Sequence, residues 1–307
     1  MPAFLSLPNP IPFYFPPLLG LFGRLAPRKA ARFIADLIAQ PRGRNPTQPW
    51  ETASGTMGRA IELRTGLHAT SWGEAGPLVL TLHGWRGRTT QFRPLAAKLA
   101  ERGLRTLALE LPGHGVSVGD SATPRQIGEL LIEVERIVGP VHAAIGHSFG
   151  GAALGAGLVY GFRPARIVIV SAPTRVSRIP LLLAKEAGLP PSAMKEFVRI
   201  LDREAGRPLA ELDLVSTAPR AGIPGFLIHD LQDAVIPYAE AEALANAVLR
   251  GNNGDVRKTV HVAADLSPDW IRVHVSDEGD GFDPKAALRE VDPESEGGRG
   301  LFLLNAL

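Results

Sequence analysis

The 307-residue chain contains no cysteine, which excludes disulfides, thiolate metal sites and a cysteine nucleophile while leaving the compartment open. Neither charge sign is in excess: 33 Lys and Arg against 31 Asp and Glu give a formal net charge of +2. No dense basic block interleaved with aromatics is present, so nothing points to a nucleic-acid surface. There is no internal repeat, and no low-complexity tract beyond a proline-rich start. Residues 1–22 are apolar but hold six prolines and no basic residue before Arg24. They lack the charged opening of a secretory signal and would make a poor spanning helix. The expectation is an arm packed on the domain, with attachment to a membrane surface as the lesser reading. A hydrophobic content of 45% allows a full core, and one large domain plus a small addition in a soluble, cytoplasmic protein is the natural organisation.

What is present begins with a turn. Gly146-His147-Ser148-Phe149-Gly150 lies between a short apolar run at 140–145 and a helix-compatible stretch from Ala152. A serine between strand and helix occupies a tight, strained turn, and glycines two residues to either side remove the side chains that would collide there. Further apolar runs at 77–82, 105–109, 166–170 and 225–228 each end in a loop rich in His, Gly, Pro or Asp. Runs this short, separated by helical stretches such as 92–103, read as parallel strands covered on both faces. Reactive side chains then gather at the carboxyl ends of the strands.

His83-Gly84-Trp85, Pro112-Gly113-His114-Gly115, Gly146 to Gly151 and Asp233 followed by Val235-Ile236-Pro237 together resemble the α/β-hydrolase fold family over roughly 61–238. The resemblance implies an α/β fold: a mostly parallel sheet with helices on both faces and a small helical cap at about 173–223. It implies Ser148 as nucleophile, the backbone N–H groups of Trp85 and Phe149 as oxyanion hole, Asp233 as the acid that orients a histidine, a small-molecule acyl substrate and no cofactor. Chemically this is coherent, since a serine hydroxyl needs a neighbouring base and aimed donors stabilise the charge that develops on the substrate oxygen. Asp230 competes with Asp233 for the acid role. His83 and His114 read as loop-bracing groups, and His147, which precedes the nucleophile, is a poor base.

The family's base usually stands in a Gly-His loop after the acid, and no such loop follows Asp233 here. His261 is the first histidine beyond it, in a stretch that looks like a strand interior, and is the leading candidate; His274, in a second alternating stretch, is the weaker one.

The tail carries a second pattern. Glu242 and Asn246 stand four apart on a helix, Gly251 to Asp255 follows, then Asp277-Glu278-Gly279-Asp280-Gly281 and Gly297-Gly298-Arg299-Gly300. These boxes resemble the histidine-kinase-like ATPase superfamily, with the anti-sigma-factor serine kinases as the nearest branch. The resemblance implies a partial α+β segment at 240–307 that could take Mg-ATP, with Asn246 as metal ligand and Glu242 as base. Asp277 would accept the adenine amino group, Gly279 and Gly281 would pass close to the base, and Gly298, Arg299 and Gly300 would line the phosphates. About half of such a domain is present, so it would need to pack on something else. The competing reading is a polar turn and the exposed face of a helix.

The expected organisation is an N-terminal arm, helix and linker at 1–59, a hydrolase-like domain at 60–239 and the ATPase-like segment at 240–307. Within the first part, 27–40 suits an amphipathic helix and 42–55 a polar linker. The two resemblances meet at 238–244, and residues 256–264 are expected to dock as the last strand of the main sheet. No protein partner is legible.

Overall fold

The computed structural model describes residues 15–52, 58–63, 66–230, 232–233, 235–251, 260–266 and 271–277, with side chains left undescribed at 15 and from 246 onward. A seven-stranded sheet organises the chain. Its strands are β1 (Arg59–Glu62), β2 (His68–Trp72), β3 (Leu78–Leu82), β4 (Arg105–Leu109), β5 (Ala143–His147), β6 (Ile167–Val170) and β7 (Gly225–Ile228), in the order β1-β2-β4-β3-β5-β6-β7. From β4 to β7 every neighbour is parallel, and β1 and β2 form the antiparallel opening hairpin. The register aligns Leu82 with Leu109 on one side and Gly146 on the other, so the carboxyl ends of β3, β4 and β5 share one rim.

Alternation decides which face each strand residue serves. Leu107 and Leu109 enter the main core with Leu80, Leu82, Leu131, Leu154 and Phe162, beneath α5 (Pro124–Val138) and α6 (Phe149–Tyr160). Ala108 faces the other way, onto Trp72, Phe92 and Ala96, beneath α4 (Arg93–Glu101). The expected doubly covered sheet is therefore present.

A second apolar core lies off the sheet. It joins α1 (Phe15–Leu25) and α2 (Pro27–Ala39) to the cap helices α7 (Arg178–Glu186) and α8 (Pro191–Ala205), through Leu19, Ile34 and Ala35 against Ala187, Leu189 and Phe197. The expected packing of the N-terminal arm on the domain is thus seen for its described part, which is helical from Phe15, while residues 1–14 lie outside the described residues. Pro16 and Pro17 stand in the first turn, where no intrahelical N–H bond is lost. The linker at 42–55 likewise holds a short turn of helix, α3 (Pro49–Thr52).

Two helices and two strands complete the chain: α9 (Leu214–Ala221), α10 (Ala239–Gly251), β8 (Val260–Leu266) and β9 (Ile271–Asp277). α10 is tied to the hydrolase-like body. Ala241 is buried and Leu244 joins the main core, while the Glu240 carboxylate accepts from Thr174 N, Thr174 Oγ1 and Arg175 N at 2.5–3.1 Å. Burial would raise that carboxyl, but these donors and the Arg175 charge hold it below the ordinary range. Of the segment 256–264 expected to dock on the main sheet, 256–259 lie outside the described residues and 260–264 joins no strand of that sheet. β8 approaches β7 to within 8 Å between Cα atoms, yet its ladder runs to β9 alone, antiparallel, with His261 opposite Ser276. A strand with an adjacent antiparallel partner satisfies its backbone locally and has no need of the distant edge.

If α10 belongs to the core, Leu244→Ala should cost about 2–5 kcal/mol of stability in urea unfolding. Leu25→Ala, at a position 77% exposed, should change it by no more than about 0.5 kcal/mol.

Candidate active site

β5 ends at His147, and Ser148 follows with φ 53° and ψ −119° before α6 begins. Among the described residues only Arg86, Ser148 and Ser171 are non-glycines with positive φ, and each lies just beyond the carboxyl end of a parallel strand. Such conformations cost about 1–3 kcal/mol apiece and persist where surrounding structure enforces them. Here Ser148 N donates to Val170 O at 2.8 Å and Gly151 N to Ser148 O at 2.9 Å. The glycines act through contact distance: a Cβ on Gly146 would lie 2.5 Å from Gly150 O, and one on Gly150 would lie 2.1 Å from Leu82 O. The start of α6 therefore rests backbone to backbone on β3 and β5, presenting Ser148 at the rim.

The loop after β3 is a turn closed by Gly87 N to Gly84 O at 2.9 Å, with Arg86 at φ 60° in the position that type II turns place in the left-handed region. A Cβ on Gly84 would sit 3.2 Å from Ser148 Cβ, so this loop passes directly over Ser148. Trp85 stacks edge-on to Phe149 at 4.8 Å and to His114 at 5.4 Å. Among the described residues, the N–H groups of Trp85 and Phe149 bond no protein acceptor.

Residues of the supposed linker hold that loop in place. Asn45 Nδ2 donates to Trp85 O at 2.9 Å, and Asn45 N donates to Arg86 O at 3.0 Å. Arg88 bonds Asn45 O and Thr47 Oγ1, and its guanidinium lies 3.4 Å from Glu51. Glu51 is 4% exposed and also accepts from Thr90 Oγ1 at 2.6 Å. Sequence reasoning missed Asn45, Glu51 and Arg88, since nothing in a polar stretch announces a partner 40 residues away.

The histidines divide by role. His83 is fully buried; Leu111 N donates to its Nε2 at 3.1 Å, and its Nδ1 donates to Gly84 O at 2.8 Å. Burial, reinforced by His114, pushes its pKa down to about 3, so the ring is a neutral brace. His114 Nδ1 bonds Pro112 O at 2.9 Å, and burial lowers its pKa as well. Desolvation lowers the pKa of His147, and the charge of Asp233 opposes that shift. Asp233 Oδ1 accepts from Val235 N and Ile236 N at 2.8 Å, while Oδ2 lies 3.7 Å from His229 Nε2. His229, 1% exposed, bonds Ile236 O at 2.7 Å and so clamps the acid loop at both ends, a role the sequence reading did not assign. Asp230 is exposed and accepts from Gln232 N at 2.9 Å. Among the described residues no imidazole bonds Ser148 Oγ; the side chains of His261 and His274 lie outside the described set.

Above Trp85 and Phe149 lies an apolar cavity of about 150 Å³, walled by Ile38 of α2, Ile179 and Leu183 of α7 and Leu201 of α8. Of the nucleotide-type residues, Glu242 is half-buried on α10, Asn246 follows one turn later and Asp277 ends β9. Gly279, Gly281, Gly298, Arg299 and Gly300 lie outside the described residues. Among the described residues no cluster of three His, Asp or Glu could hold a metal ion, and no helix is long and apolar enough to cross a membrane.

With this geometry in hand, similarity to known proteins can be stated. Residues 203–307 match the family model described as a histidine kinase-like ATPase domain. A serine hydrolase-like protein of Dictyostelium discoideum is 32% identical over 129 residues, 39% of this chain and 33% of that protein. Serine-protein kinase RsbW of Bacillus subtilis is 34% identical over 108 residues, 32% of this chain and 64% of its own. The chain thus spans a third of the one relative and under two thirds of the other. Among solved structures, a Pyrococcus furiosus esterase aligns at 19% identity and TM-score 0.47 over 69% of this chain and 85% of its own. A Paleococcus ferrophilus monoacylglycerol lipase aligns at 17% and 0.47 over 59% and 84%. The two-part resemblance read from the sequence stands, a hydrolase-like α/β body followed by an ATPase-like segment.

The depressed pKa of His83 fixes the sign of one pH effect. The unfolded ring takes up a proton below pH 6.5 and the folded ring only near 3, so stability falls as pH drops through that window. Between pH 6.5 and 5 the loss from this residue should be about 1.5 kcal/mol. A His83→Gln variant should show a correspondingly flatter dependence in urea unfolding at the two pH values.

Proposed function

We propose that the chain is a serine hydrolase that cleaves carboxylic esters carrying a short apolar acyl group. The observation that carries this reading is the left-handed turn at Ser148, set beneath the Trp85 loop with the N–H groups of Trp85 and Phe149 unspent. Ser148 Oγ attacks the ester carbonyl carbon as an imidazole takes its proton. The two N–H groups receive the developing oxyanion, and collapse of the tetrahedral adduct expels the alcohol, which leaves with that proton. Water then attacks the acyl-serine, the same imidazole taking its proton and returning it to Ser148 as the acid departs.

Asp233 fits the orienting acid: two backbone donors fix Oδ1, and its charge reaches the ring beside Ser148. His261 is the base in this proposal, as the first histidine beyond Asp233 and a residue of β8, the strand that approaches β7. The cavity above Trp85 and Phe149 supports an apolar acyl group, since a volume near 150 Å³ is about what admits benzene in an engineered protein cavity. Asn45 acts as a positioning residue, holding the Trp85 carbonyl so that the next peptide keeps its turn.

A fluorophosphonate probe tests this, since it labels only a serine with an activated hydroxyl. Wild type should label, Ser148→Ala should not, and His261→Gln should lose labelling while His147→Gln keeps it. Asn45→Ala should label about tenfold more slowly, as partial loss of an oxyanion donor implies. Wild-type labelling no greater than that of Ser148→Ala would end the proposal.

The family match over 203–307 favours a second capacity, nucleotide binding by the tail. Carboxylate and amide oxygens at Glu242 and Asn246 are donors of the kind that hard Mg²⁺ takes, and Asp277 could accept from the adenine amino group. Mg-ATP, when bound, would supply a transferable phosphoryl group. Titration calorimetry of the full chain with Mg-ATP should give a binding signal that Asp277→Ala abolishes; a signal that survives the substitution counts against this reading.

A further inference from the structure

α1 is built with its pattern reversed. Its inward face is made of small residues: Gly23 is so close to the cap that a Cβ there would lie 2.5 Å from Pro190 Cδ, and one on Gly20 would lie 3.6 Å from Gly188 O. Among the described side chains of α1, Leu19 is the large one that the second core takes. The large apolar residues stand on the other side. Leu18, Leu21, Phe22 and Leu25 are 60%, 58%, 41% and 77% exposed, and their spacing of i, i+3, i+4 and i+7 makes one continuous stripe. Four adjacent exposed side chains of this size are unlike the isolated ones that any surface carries.

Charge indicates the occupant. From 15 to 39 the chain has four basic residues, Arg24, Arg28, Lys29 and Arg32, against one acid, Asp36. Arg28 lies near Glu196, and Arg32 is engaged by Asp36 and Glu204. Arg24 and Lys29 are exposed, and among the described residues neither has a carboxylate within ion-pair distance. An apolar stripe with uncompensated cations at its border matches a bilayer whose surface is anionic, where the side chains enter the acyl boundary and the cations meet phosphate. At 11 residues the helix is about 16 Å long, too short to cross, so it would lie in the plane of the interface.

We propose that α1 is a docking surface for anionic lipid bilayers. The proposal is independent of the hydrolase reading, since it concerns only the outer face of the α1–α2 hairpin. It also reverses the weighting of the sequence reading, in which membrane attachment was the lesser alternative: the arm does pack on the domain, but through its glycines, leaving the leucines outward.

Vesicle sedimentation of the full chain tests it. The protein should pellet with vesicles containing one third phosphatidylglycerol in phosphatidylcholine. Binding should weaken in pure phosphatidylcholine and as salt is raised. A double variant, Leu21→Ser with Leu25→Ser, should bind at least about tenfold more weakly. Arg24→Gln and Lys29→Gln should each lower binding to the anionic vesicles about fivefold. Unchanged thermal melting of these variants would confirm that the substituted positions are surface ones. Wild type remaining in the supernatant with both vesicles would overturn the proposal, as would equal binding by the leucine variant. A wild type that is dimeric by light scattering, with the leucine variant monomeric, would assign the face to a second copy of the chain instead.

Discussion

Much of this molecule depends on how closely a helix can approach a sheet. The first turn of α6 lies against the backbone of β3 and β5 because Gly146 and Gly150 have no Cβ, and that approach is what forces Ser148 into the left-handed region. Move the helix out by the width of a methyl group and the strained turn has no reason to persist. The Trp85 loop depends on the same contact, since its Gly84 passes within a methyl's reach of Ser148. The placing of Ser148 and of the Trp85 and Phe149 N–H groups thus follows from a single packing distance, and the helix whose N-terminus points at Ser148 contributes favourable partial charge there at no further structural cost.

The loop over Ser148 is held from a distance in sequence. Asn45, Arg88, Glu51 and Thr90 form a partly buried network that spans the N-terminal segment and the loop after β3. A buried carboxylate is tolerable only where its lone pairs are taken, and Glu51 meets that demand with Gln48 N, Thr90 Oγ1 and Arg88. Because the network has few spare partners, the loss of one member leaves another unsatisfied. The segment before the sheet is therefore part of the site's scaffold, just as α1 and α2 are half of the cap.

How far the sequence exposed this follows from the range of each interaction. The parallel strands and the turn at Ser148 were legible because glycine spacing and short apolar runs are local signals, and the helical cap at about 173–223 followed from the resemblance. Asn45 and Glu51 were not, because their function is defined by partners about 40 residues away and a polar run looks the same with or without them. That the N-terminal arm packs on the domain was legible from its apolar composition, whereas its helix was not announced, because Pro16 and Pro17 stand in a first turn where prolines are harmless. His83 and His114 were rightly read as braces, since a histidine beside glycines in a loop has carbonyls within reach. β8 was misplaced because the alternation that predicts a strand does not name its partner, and β9, adjacent in sequence, costs the least entropy to pair.

α10 resolves how two resemblances can share residues. The ATPase-type match begins at 203, although α9 and β7 belong to the hydrolase-like body and α10 packs into its core. At 3.6 residues per turn, positions 242 and 246 lie about 40° apart and each about 200° from Leu244. One face of the helix can therefore fill the hydrolase-like core while the opposite face keeps the Glu-Asn pair free for other chemistry. β8 and β9 follow a helix whose position the main body fixes through Leu244 and the Glu240 clamp, so a perturbation on the core face of α10 is expected to reach the face that carries the Glu-Asn pair.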